Sequence, residues 1–145
     1  MMEVFVDTSA LYAVLDRDDV HHGEAGQTWS ALLDDLARGA ARCRTHSGVI
    51  VEASALVQRR LGMRALRALH DRLLRVVDVT WVDADLHGRA LSALLAAGSR
   101  DVSLVDWTSF ELMRERGLEA AFAFDDDFTA QGFARWQPRS AEATP

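Results

Sequence analysis

The chain has 145 residues, the size of one domain around one core, and its 49% hydrophobic and 26% charged residues are proportions of a globular protein and not of a disordered one. Net charge is −6, and all 16 basic residues are arginine; without lysine, a P-loop nucleotide site and Schiff-base chemistry are excluded. No apolar run nears the roughly 20 residues that cross a bilayer, Asp7 comes too early for a signal peptide, and the single cysteine, Cys43, precludes an internal disulfide. A cytoplasmic protein with no membrane partner is therefore expected.

In chain order, Glu3 to Val6 reads as a short strand and Thr8 to Leu15 as a helix. Ala25, Trp29, Leu32, Leu33 and Leu36 recur at helical spacing, which predicts an apolar face. Arg42 to His46 reads as a second strand, with Ser47 placed to cap a helix that runs to Leu61 and ends at Gly62. Another helix is predicted from Met63 to about Leu74, a third strand from Val76 to Val82, and a helix from Asp83 to Ala97 that stops at Gly98. Ser103 to Arg116 reads as a helix opened by a capping box, in which Asp106 reaches back to the first backbone N–H. Ala120 to Phe124 is a buried strand, Asp127 to Gln131 a short helix, and Phe133 to Trp136 an edge strand. Residues 137–145 read as a disordered tail. Strands alternating with helices predict an α/β sandwich with a mostly parallel sheet, whose function sits at the carboxyl ends of its strands.

Four acids stand out against that frame. Asp7 and Asp125 each follow directly on an apolar strand. Asp106 has Val102, Phe110 and Met113 on its own helical face, and Glu52 has Val49, Ala55 and Leu56. Each has an ordinary structural reading: Asp7 and Asp125 fit helix caps, Asp106 fits its capping box, and Glu52 fits a pair with Arg59 or Arg60. Four such acids, with no lysine in the chain to pair them, point together to a shared metal site, because an unpaired charge on an inward face is costly. An all-carboxylate set suits Mg²⁺, with Mn²⁺ as the alternative, and not zinc. His21 and His22 are adjacent and read as surface residues, and His46, His70 and His87 show no ligand spacing. Ser9 and Ser47 lack the His and Asp partners of an acyl-transfer site. Six arginines and one acid between Arg59 and Arg75 form a basic stretch that reads either as a solvated helix face or as a contact for a nucleic-acid backbone.

Val6-Asp7-Thr8-Ser9-Ala10-Leu11-Tyr12, Thr45 to Glu52 running into Leu56 to Gly62, Asp101 to Phe110, and Ala123 to Phe128 resemble, in order, the four motifs of PIN-domain ribonucleases, and most of all VapC-type toxins of bacterial toxin–antitoxin pairs. The resemblance implies a PIN domain over residues 1–136, a three-layer sandwich with strand order 3-2-1-4-5, and a Mg²⁺-dependent endoribonuclease. Position by position it makes Asp7, Glu52, Asp106 and Asp125 the catalytic and metal-holding acids, with Ser9, Asp101 and Asp127 in support. The chain departs from the pattern in having Ala123 where relatives often have Thr, and Asp127 where they often have His; the run Asp125-Asp126-Asp127 leaves Asp127 as the alternative fourth acid. The activity implied is hydrolysis by metal-activated water, which leaves a 5′-phosphate and a 3′-OH. Arg59, Arg60, Arg64 and Arg67 are the candidate RNA contacts. A cognate antitoxin and a homodimer are the implied protein partners. A free-standing PIN ribonuclease and a non-catalytic partner-binding module are the competing readings, whereas phosphatases of the haloacid-dehalogenase type are excluded by Ser9 at their second aspartate position and by the missing lysine.

Overall fold

β1, Met2–Val6, lies at the centre of the sheet because its last three residues are apolar and fully buried. The computed structural model describes residues 1–139, so residues 140–145 of the expected tail lie outside the described residues, while Gln137 to Arg139 are exposed. β2 (Ala41–His46), β3 (Val77–Thr80), β4 (Ala120–Phe122) and β5 (Ala134–Arg135) complete an all-parallel sheet of order β3-β2-β1-β4-β5. Parallel strands need long crossovers, and helices supply them: α1 (Thr8–Leu15), α2 (His22–Ala37), α3 (Ser47–Leu61), α4 (Met63–Ala68), α5 (Ala84–Ala97), α6 (Leu104–Arg116) and α7 (Asp127–Ala130). The result is the expected three-layer sandwich.

The core joins the apolar centre of β1 to Leu11, Leu32, Leu69, Phe110, Phe122 and Phe128. The helical stripe in α2 is borne out at Ala25, Trp29 and Leu32, whereas Leu33 turns outward. Arg44 of β2 ties three strands together: it pairs with Glu3 of β1 at 3.4 Å and donates to the Thr80 hydroxyl of β3 at 3.2 Å. Gly117 ends α6 in the left-handed region, at φ 69°, where a side chain would be strained.

Several boundaries differ from the sequence expectation. The helix expected from Met63 to Leu74 is α-helical only to Ala68; it widens into a π turn over Leu69–Leu73 and tightens into a 3₁₀ turn over Leu74–Val76. The change of pitch buries Leu69, Leu73 and Leu74 together. β3 stops at Thr80, and Trp81 leaves the sheet 75% exposed. β4 ends at Phe122, because the Phe124 N–H turns to the Ser9 hydroxyl (2.9 Å) and not to a neighbouring strand. Ser47 does not cap α3: its hydroxyl accepts from the Val82 N–H at 2.9 Å, and the cap is His46. The histidine pair is half-buried and not freely exposed, for His21 stacks on Phe124 with ring centres 4.4 Å apart and His22 bonds through Nδ1 to the Ala13 carbonyl oxygen at 2.8 Å.

Candidate active site

The carboxyl ends of β1, β2 and β4 open toward the N-termini of α1, α3, α6 and α7, and the predicted acids meet there. Asp7 follows β1 and caps α1: its Oδ2 accepts from the Ser9 N–H (3.1 Å) and the Ser9 hydroxyl (2.7 Å). Because that hydroxyl also accepts from the Phe124 N–H, Ser9 ties β1 to the chain leaving β4. The other oxygen, Oδ1, is buried with no hydrogen-bond partner. Burial pushes the Asp7 carboxyl up to about 7 against the two bonds from Ser9, and the charges of Asp106 and Glu52 push the same way.

Asp106 makes both halves of the expected capping box, its N–H donating to the Ser103 hydroxyl at 3.1 Å and its Oδ2 accepting from the Ser103 N–H at 3.2 Å. Burial raises its carboxyl above the usual range, opposed by the Ser103 N–H and hydroxyl beside it and helped by the charge of Asp125. Glu52, half-buried on α3, is also raised by burial; Thr8 opposes the rise, and Asp106 and Asp125 add to it. Asp125 accepts the Asp127 N–H at 3.0 Å. Burial, the adjacent Asp125 carboxylate, and the charges of Asp106 and Asp101 push Asp127 up to about 6.

Carboxylate oxygens of Asp106, Asp125 and Asp127 lie within 4.8 Å of one another. Both candidates for the fourth position therefore face Asp106, while the intervening Asp126 points away, its side chain 97% exposed and 3.6 Å from Arg135. Asp101 is exposed at the rim and acts on Asp127 through its charge. Among the described residues no arginine forms an ion pair with Asp7, Glu52, Asp106, Asp125 or Asp127, so Glu52 pairs with neither Arg59 nor Arg60. Crowded carboxylates without a counter-charge, and a buried carboxylate oxygen without a partner, fit a hard divalent cation held by oxygen.

Capping and metal binding turn out to be compatible. Asp7, Asp106 and Asp125 each commit one oxygen to a nearby N–H and, among the described residues, leave the second without a hydrogen bond. The backbone bonds thus aim the side chains that would hold an ion.

Residues 4–134 match the PIN-domain family model. The chain belongs to the PIN-domain family. It is 39% identical over 136 residues to the 23S rRNA-specific endonuclease VapC20 of two Mycobacterium tuberculosis strains, a match covering 93% of this chain and 98% of that protein. The crystal structure of M. tuberculosis VapC20, described as a sarcin–ricin loop cleaving toxin, superposes with a TM-score of 0.80 at 37% identity, covering 93% of this chain and 99% of the other. VapBC2 from Rickettsia felis, bound to a fragment of its promoter DNA, shares the fold at a TM-score of 0.67 and 12% identity, over 93% of this chain and 98% of that one. The chain is thus a VapC-like PIN endonuclease.

Two contributors escaped the sequence reading. Thr8 lies near Glu52 with its hydroxyl buried and, among the described residues, without a hydrogen-bond partner, and His46 caps the helix that carries Glu52. Thr8 was signalled only by its place beside Asp7. Elsewhere, Cys43 is buried, which pushes its thiol up to about 12, and Trp107 is half-buried and packs edge-on against Phe110.

Proposed function

We propose that this chain is a Mg²⁺-dependent endoribonuclease, the toxin of a toxin–antitoxin pair, and that its substrate is the sarcin–ricin loop of 23S rRNA. The observation that carries the reading is the acid cluster itself: three carboxylates within 4.8 Å of one another beside the buried, unpartnered Asp7 Oδ1. The choice of RNA and the toxin role rest on likeness to VapC20 over nearly the full length of both chains.

Asp7, Asp106 and Asp125 hold the ion, with Glu52 and Asp127 completing the set; Mn²⁺ satisfies the same oxygen donors. When bound, the ion supplies an activated water and neutralises charge at the phosphate. Ser9 keeps the Asp7 carboxylate turned and anchors the Asp125 loop through the Phe124 N–H. Asp101 adds negative charge at the rim. Arg59, Arg60, Arg64 and Arg67 are exposed. Arg64 and Arg67 line a cavity of about 870 Å³ with Arg17 and Arg72 against two acids, Asp16 and Asp71, a net positive lining where an RNA backbone would be held by charge.

A second copy would cover the apolar surface that borders Glu52 at the edge of the acid site. Val51 and Trp81 border an apolar cleft of about 680 Å³, and its α5 wall, at His87, continues through Leu91 and Leu95 one and two turns on. A cognate antitoxin, as expected for a toxin of this type, completes the set of partners.

The test is to incubate the protein with 23S rRNA in Mg²⁺, Mn²⁺ or EDTA beside Asp106→Asn and to map every product end. Cuts in the sarcin–ricin loop leaving 5′-phosphates, lost in EDTA and in the variant, are expected. Cyclic phosphates, or cleavage indifferent to metal, would overturn the reading.

A further inference from the structure

His46 is fully buried at the junction of β2 and α3, and both ring nitrogens are used. Nδ1 accepts the N–H groups of Gly48 (3.0 Å) and Val49 (3.3 Å), two donors that the first turn of a helix otherwise leaves open. The hydrogen therefore sits on Nε2, an assignment that follows from the bonding partners. Nε2 lies 2.8 Å from the hydroxyl of Ser109, which donates to the Val105 carbonyl oxygen at 3.0 Å. One ring thus joins the first turn of α3 to the first turn and a half of α6.

The acids sit on those two segments. Glu52 lies six residues beyond the cap on α3, and Asp106 directly follows Val105 on α6. The ring also packs on Phe5 of β1, two residues before Asp7, with centres 5.8 Å apart, and Phe5 stacks in turn on Phe128 of α7 at 5.9 Å. Gly48 shows how closely the site is fitted: a Cβ there would fall 2.9 Å from Cε1 and Nδ1 of His46. Burial holds the imidazole down at about 4, which keeps the Nδ1 lone pair free to accept at neutral pH.

We propose that His46, acting through Ser109, is a positioning residue that sets the separation of Glu52 and Asp106 and so the geometry of the acid site. A Ser, Thr or Asp cap would satisfy the α3 N–H groups but would not reach across to α6. The proposal rests on the metal-site reading above and adds to it a device that holds two of the acids.

The test uses His46→Asn, which keeps a capping acceptor but loses the bridge, Ser109→Ala, which keeps the cap and removes only the hydroxyl, and the double variant. Mn²⁺ binding without RNA is measured by calorimetry, kcat and KM on the RNA substrate by initial rates, and Tm by circular dichroism. We expect Mn²⁺ affinity to fall about tenfold in each single variant, the size seen when a partner orienting a metal ligand is lost. A comparable fall in kcat at nearly constant KM should accompany it, and the double variant should be hardly worse than either single one. A lower Tm with unchanged Mn²⁺ affinity and kcat would make the bridge merely structural and overturn the proposal. Failure of Ser109→Ala to fold would overturn it as well, because a positioning device must be removable without loss of the fold. Asp106→Asn is the control: if it binds Mn²⁺ like the parent, the metal-site reading has failed and not the bridge alone.

Discussion

The acid cluster and the arginine stretch from Arg59 to Arg75 are both conspicuous in the sequence, and the structure treats them in opposite ways. Asp7, Asp106 and Asp125 stand at the ends of strands or the starts of helices, where backbone N–H groups fix one oxygen each, and burial raises Asp7, Glu52 and Asp106. The arginines lie on exposed surface, and among the described residues none of the six makes an ion pair. A charge held by the backbone acts at a defined point in space, whereas a charge on a long solvated side chain contributes a field. Substitutions in the two regions should therefore differ in size and in kind.

The largest effect is expected at Asp106. Replacement by Asn keeps an acceptor for the Ser103 N–H but removes a charge from the cluster, so cleavage should fall by at least ~100-fold, the upper end of what losing even an orienting partner costs. Circular dichroism and Tm should stay near those of the parent, because Asn also serves helix starts. Comparable loss of activity and of fold would show that the cap is the whole role of this residue.

Ser9→Ala comes next. It leaves the Phe124 N–H without its acceptor and Asp7 Oδ2 with one donor where it had two, so we expect about a tenfold loss of activity and a stability loss of about 1–3 kcal/mol by urea titration. An effect on Tm alone would place Ser9 with the fold and not with the site.

A smaller and more diagnostic effect concerns pH. Asp7 holds its proton to about 7 in the folded chain, against an ordinary 3.8. Between those values the unfolded state binds fewer protons, so the stabilisation, full below 3.8, is lost as pH rises through about 7. Asp127, raised to about 6, acts in the same direction. In EDTA, Tm should therefore decline between pH 5 and pH 8, and Asp7→Asn should flatten the decline. Added Mg²⁺ should stabilise the protein most at the alkaline end. A Tm that rises steadily over that range would contradict the assigned burial of Asp7.

The smallest effect belongs to the arginines. Arg64→Gln with Arg67→Gln should raise KM a few-fold at low salt, leave kcat unchanged, and reduce the salt slope of binding by about 0.7 to 0.9 for each RNA phosphate that an arginine had neutralised. A change in kcat would bring this surface into the chemistry and erase the contrast between the two regions.

Much of this contrast was legible in the residues. The apolar triplet Val4-Phe5-Val6 ahead of Asp7 announced a strand, and Ser103 three places before Asp106 announced a capping box; both are present. His46 was not legible, because histidine is not among the preferred cap residues and its second bond reaches across 63 positions to Ser109. The π turn after Ala68 was hidden for another reason: over a single turn, its side-chain spacing barely differs from that of an α-helix. Nor does a run of three aspartates reveal which of them turn inward. That depends on the turn made by Asp125, whose carboxylate takes the Asp127 N–H and leaves Asp126 outside.

The central strand pairs with β2 on one side and, on the other, with β4, whose residues are made more than a hundred positions later. During synthesis, a ribosome that has completed residue 100 has produced Asp7 and Glu52 but none of Asp106, Asp125 and Asp127, and Asp7 still lacks the strand that places Ser9 against Phe124. A chain truncated at residue 100 therefore lacks Asp106, Asp125 and Asp127, the three carboxylates that lie within 4.8 Å of one another. On the metal-site reading, the acid site can assemble only after nearly the whole chain has been made and folded.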